Sequence, residues 1–236
     1  MRRRVASVIA GLIFVISLSL AGCGGGGGGT VATPTPTGTA VSMATINGVF
    51  LGTSAGASFN FPSLVGSDLQ GRAWSGSFQE VADGVTTFET QTVTKVRSLT
   101  TLKLAGGSPV SGVSTQYFLA ASGNFYKVVD SSGTIYVPAF RNSGVSPFPS
   151  TPKVGDFGTI GVFTGSDGTT VTLTWALNAG FNGGSILAIS SVVTTGTVVT
   201  ATEVDSYQLD AAGVPTSISI IATVSGTTVT LSGNRN

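Results

Sequence analysis

The chain has no histidine and a single cysteine, Cys23. Without histidine, Ser-His-Asp and Cys-His catalysis are excluded, and so is zinc held by imidazoles or paired thiols. A lone cysteine cannot close an internal disulfide, so the fold must be held by its sheet and core alone. Charge is scarce: 11 basic and 10 acidic residues make up 9% of 236. Three of the basic residues, Arg2, Arg3 and Arg4, lie in an N-terminal segment that reads as removable, which leaves 8 against 10 and no basic stripe to hold phosphates. Nucleic acid is therefore not an expected partner. Helical periodicity is also missing from about Thr45 onward.

What stands in place of charge is hydroxyl. Serine and threonine supply about a quarter of the chain, a composition that suits exposed β-strands, where threonine is favoured over lysine and glutamate. Short alternating runs recur between turn signals every 8 to 14 residues, the pattern of an antiparallel β-protein. The clearest is 171–177, with Val171, Leu173, Trp175 and Leu177 on one face and Thr172, Thr174 and Ala176 on the other. Further strands are expected at 72–81, 86–99, 114–121, 125–129, 134–137, 159–163, 185–193, 198–209, 216–223 and 227–231. Between them stand tight turns such as Ala82-Asp83-Gly84, Ser122-Gly123-Asn124, Ser131-Ser132-Gly133 and Ser166-Asp167-Gly168. The expected fold is all-β: an antiparallel meander forming a strongly curved sheet or open β-barrel, with a β-sandwich as the alternative. Strand length favours the barrel, because runs of 12 to 14 residues span roughly 40 to 45 Å and long twisted strands curl.

The N-terminus carries an address. After the three arginines comes an uncharged run of about 16 residues, 5–20, which has the length of an export-signal core and is short of the roughly 20 needed to span a bilayer. The next residues, Leu20-Ala21-Gly22-Cys23, resemble the lipobox of bacterial lipoproteins; the rest of the chain resembles no characterised family. The resemblance implies cleavage before Cys23, a diacylglycerol on its thiol and an acyl chain such as palmitate on the freed amine. Gly24 after the cysteine resembles the default for outer-membrane sorting in Gram-negative envelopes. Residues 24–29 are all glycine, and a Thr-Pro ladder follows to Ala40. This is a tether with a reach on the order of 20 Å. The organisation expected is a signal at 1–22, lipidated cysteine and tether at 23–40, and one β-domain at 41–236.

Candidate chemistry in the domain is sparse. Glu203 and Asp205 stand two apart on an expected strand, on one face with Tyr207 and Leu209. Paired carboxylates are what glycoside hydrolysis uses, but the plainer expectation is two solvated groups keeping a strand end soluble. Asp130 and Asp167 lack the repeated oxygen ligands of a calcium loop and read as turn residues. Lys95, Arg97 and Lys103 share one parity and form a small basic row. Trp74 and Trp175 lie on strands, and Phe140 and Phe148 lie in a proline-interrupted loop at 138–156; these four are the candidate ligand-binding aromatics. No catalytic set, metal site or cofactor is expected. The function expected is a membrane-anchored, non-catalytic binding or scaffold domain, facing an apolar ligand or an envelope protein partner. Alternatives are a carbohydrate-active enzyme using Glu203 and Asp205, and a surface adhesin or assembly component.

Overall fold

The computed structural model describes residues 39–139 and 148–236; Cys23, the tether and Phe140 lie outside them. The described chain is an all-β meander closed into a barrel of twelve strands. In chain order these are β1 (Ser58–Asp68), β2 (Ala73–Phe88), β3 (Gln91–Leu104), β4 (Val110–Leu119), β5 (Phe125–Val129), β6 (Ile135–Pro138), β7 (Phe157–Gly165), β8 (Thr169–Ala179), β9 (Ser185–Thr195), β10 (Val198–Leu209), β11 (Pro215–Val224) and β12 (Thr227–Asn234). Each strand pairs antiparallel with its chain neighbours. The ring is completed where β1 meets β12, with Val65 opposite Ser232 and Asp68 opposite Val229. One continuous ring leaves no second sheet, which removes the sandwich alternative.

Two elements go beyond the sequence reading. A seven-residue helix, α1 (Ala44–Phe50), precedes β1. Its Ile46, Val49 and Phe50 are buried, as is Met43 before it, and it is tied to the 148–152 segment by Met43 N donating to Ser150 O and Asn47 Nδ2 to Phe148 O. The second is β1 itself, which bends at a bulge between Phe61 and Leu64; Pro62 there cannot donate to a ladder, as expected of a strand proline.

One expected turn is corrected. Ala82-Asp83-Gly84 does not reverse the chain: β2 runs through it with a bulge between Ala82 and Gly84, Gly84 taking φ of +84°. The reversal comes at Glu89 and Thr90, both in the left-handed region at φ 47° and 68°, so β3 starts at Gln91 instead of 86. Asp83 projects from the bulge onto the basic row of β3, accepting from Arg97 Nε and Nη2 at 2.6 and 2.7 Å and from Lys95 at 3.2 Å. Two of the three expected basic residues are thus ion-paired. By contrast, Asp130 and Asp167 are turn residues as read: Asp130 Oδ1 accepts from Ser132 N and Thr134 N, and Asp167 Oδ1 from Thr169 N.

The barrel turns its apolar side chains inward. Along β9, Leu187, Ile189 and Val193 are buried while Ala188, Ser190 and Val192 of the other parity are half-exposed. On β8 the outward set is Thr170, Thr172, Thr174 and Ala176. Apolar inside and hydroxyl outside is the reverse of barrels that cross a bilayer, which face lipid with an apolar band. At one end α1 reaches the interior, where Phe50 packs on Phe59, Phe148 and Tyr207 with ring centroids 5.8 to 6.0 Å apart. No helix among the described residues is long and apolar enough to cross a membrane.

Candidate functional site

Below the aromatic end lies a layer of carboxyls. Alternation along β10 turns Ala201, Glu203, Asp205, Tyr207 and Leu209 into the barrel. This corrects the expectation of solvated carboxylates: Glu203 is 0% and Asp205 1% exposed. A third carboxyl, Glu80, arrives from β2 and is 1% exposed. Register extends it sideways, since Glu80 stands opposite Ser98 on β3 and Ser98 opposite Ser114 on β4. Ser98 Oγ donates to Glu80 Oε1 at 2.6 Å, and Gln116 Nε2 donates to Ser98 Oγ at 3.4 Å.

The layer is otherwise unpaired. Glu80 Oε2, both oxygens of Glu203, both of Asp205, Ser114 Oγ and Tyr207 Oη have no hydrogen-bond partner among the described residues. Losing water without gaining a partner disfavours the charged form. Burial pushes the Glu80 carboxyl up to about 8, with the Asp205 charge adding to the rise and the Ser98 hydrogen bond opposing it. Burial likewise raises Asp205, and it raises Glu203 well above the usual range with help from Asp205. The Tyr207 hydroxyl is held high by burial and then by the charges of Asp205, Glu80 and Glu203. Burial thus favours the protonated form of all three carboxyls. Buried on all sides, it does not present two carboxyls to a solvent-borne substrate, and no set of three metal-capable side chains gathers among the described residues.

The aromatics singled out from sequence are core residues where they are described. Phe148 is buried and packs edge-on against both Phe50 and Trp175, with centroids 5.9 and 6.1 Å apart. Trp74 lies apart from them, its Nε1 donating to Asp68 Oδ2 at 3.1 Å. Arg72 Nε bonds the same oxygen at 2.6 Å. Burial alone would raise the Asp68 carboxyl, but the hydrogen bonds from Trp74 and Arg72 outweigh it and hold the group below its ordinary value.

Open space is found on the outer wall. A groove of about 680 Å³ runs over β9 to β12 and β1 beside the 3-10 turn Phe181–Gly183. Its floor is a grid set by register: Ser206, Ser219 and Ser232 lie opposite one another on β10, β11 and β12, and Gln208, Ser217 and Asn234 form the next row. Pro62, Val65, Ile186 and Phe181 supply apolar surface at the sides, and no lining side chain among the described residues is ionisable. Phe181, at 78% exposed, stands at the rim. The wall is shaped by the β1 bulge: Gly233 lets Ser63 O approach so closely that a Cβ there would meet it at 2.3 Å. Neither the groove nor Glu80 was identified from sequence. For Glu80 a signal existed, because it shares parity with Phe78 and Ala82, and a charged residue on an apolar parity is informative. For the groove there was none, since it joins outward residues of five strands.

Neither family models, nor characterised proteins, nor solved structures match this chain.

Proposed function

We propose that the protein is an envelope lipoprotein, held to the membrane by acylated Cys23, whose barrel is a non-catalytic binding domain that recognises its partner on the outer wall. The observation that carries the reading is the placement of space. The groove lies outside, while α1, Phe148 and the inward aromatics fill one end of the barrel. An interior apolar ligand, the other form of a binding role, has less support for that reason. The hydroxyl-rich outside matches a domain standing in water at the end of a tether.

The anchor is tested in a Gram-negative host expressing the full chain. Radiolabelled palmitate is expected to enter the wild-type protein, which fractionates with membranes, and Cys23→Ser is expected to lose both label and membrane association. Label retained by Cys23→Ser would contradict the anchor. The domain's role is tested separately by placing a photo-crosslinking residue at Ser219 in the anchored protein. Crosslinks to one envelope component support outer-wall recognition, and their absence at Ser219 beside strong crosslinks from a remote face contradicts it.

A further inference from the structure

We infer that the outer-wall groove is a binding site for a neutral oligosaccharide. This rests on the binding-domain reading and gives it a ligand class. The first argument is charge. No ionisable side chain is among the described residues that line it, so the groove offers no side-chain charge to pair with a phosphate, a carboxylate or an ammonium group. The second is closure. Within the groove β10 and β11 are each paired on both sides, so an extended peptide cannot add to them as a strand and gain main-chain hydrogen bonds there. The third is the pattern of the floor. Ser206, Ser219 and Ser232 repeat at the spacing of neighbouring strands, roughly 4.8 Å, and the Gln208, Ser217, Asn234 row lies one side-chain repeat, roughly 6.7 Å, further along.

None of the three serine hydroxyls bonds to another protein group among the described residues. Each is free to donate and accept, as is every hydroxyl of a pyranose. An acyl chain would strand these hydroxyls, whereas a sugar satisfies them. A pyranose also has apolar C–H faces, and the exposed ring of Phe181 with Val65 and Ile186 gives those faces a counterpart. The volume falls within the range of small-ligand sites and admits a few sugar units. Gln208 is pre-set on the floor, its Nε2 donating to Leu209 O at 3.3 Å while its Oε1 remains available. The class is neutral pyranose. Whether it is hexose or N-acetylhexosamine is left to the probes.

The test uses the full lipidated protein in a detergent without a sugar headgroup. Maltotetraose, cellotetraose and chitotetraose are titrated separately and read by saturation-transfer NMR and calorimetry. The expected result is saturable binding of at least one tetrasaccharide. Phe181→Ala is expected to weaken it about tenfold by loss of ring contact, and Ser219→Arg, which fills the floor, to abolish it. Both positions are solvent-facing, and an unchanged melting temperature shows that each variant folds. Binding of the glucose oligomers alone assigns a hexose, and binding of chitotetraose alone an N-acetylhexosamine; either supports the site. Absence of binding by all three, or binding that neither variant weakens, overturns it. Ser219 crosslinks to an envelope protein together with tetrasaccharide silence would overturn the glycan and leave the outer-wall reading standing.

Discussion

Glu80 sits between Phe78 and Ala82 on the inward parity of β2, and its neighbours decide how it behaves. A carboxyl raised to about 8 in the fold but ordinary in the unfolded chain binds its proton more tightly when folded. Its contribution is therefore fully favourable below about pH 4.5 and is lost as pH climbs toward 8. Glu203 and Asp205, raised by the same burial, act in the same direction. Asp83, lowered chiefly by the Arg97 hydrogen bond, acts oppositely and loses its stabilisation as pH falls below the ordinary carboxylate range. The melting temperature is expected to peak in weak acid and fall between about pH 5 and pH 8. Glu80→Gln, which can still accept from Ser98, is expected to flatten that fall and to stabilise the barrel at pH 8 by about 3 kcal/mol. Thermal melts of both proteins across pH check this; a wild-type profile rising from pH 5 to 8 would contradict it. At this scale the sequence showed that Glu203 and Asp205 share a face, but not that the face turns inward. The opposite face of β10, with Thr202, Val204, Ser206 and Gln208, is no more apolar, so hydropathy could not choose between them.

At the scale of elements, β10 was legible from residue to residue, as 198–209, because turn residues bound it on both sides, although its alternation of burial begins only at Ala201, after a bulge. The β2–β3 hairpin was legible as two long strands but misplaced by about five residues. Asp83-Gly84 has the chemistry of a hairpin turn, whereas Glu89 and Thr90 have none of it and yet take left-handed φ. What decides is tertiary: the ion pairs of Asp83 with Lys95 and Arg97 fix β2 on β3 through the bulge, and the turn is left where the strands run out. Glu89 gains its own partners there, accepting from Tyr126 Oη at 3.0 Å and pairing with Lys127. β1 was not seen because Pro62 and Gly66 break its alternation, and Pro62 stands in the bulge that bends the outer wall. Gly233→Ala probes that bend. The added methyl would meet Ser63 O, so the substitution is expected to destabilise the barrel by about 2 kcal/mol and to weaken any groove ligand. Urea unfolding measures the first effect, and a neutral outcome would mean that the bulge yields freely.

For the whole molecule, fold class and meander follow from strand spacing, while closure does not. The pairing of β1 with β12 joins residues 65–68 to 229–232, far apart in the chain, and no local pattern reports it. Closure limits the strand edge that a chain this rich in hydroxyls and poor in charge exposes. It also leaves the interior to α1, the aromatic end and the carboxyl layer, so the recognition proposed above falls on the outer wall. The tether and anchor are read from local sequence alone and lie outside the described residues, whereas the groove depends on five strands meeting. Native mass spectrometry of the full lipidated protein, released gently from detergent, tests most directly whether recognition lies on the wall or in the interior. The account predicts the mass of the acylated mature chain with no further lipid bound. A reproducible non-covalent lipid adduct, lost when Phe148 is replaced by alanine in a still-folded barrel, would contradict it and return the ligand to the interior.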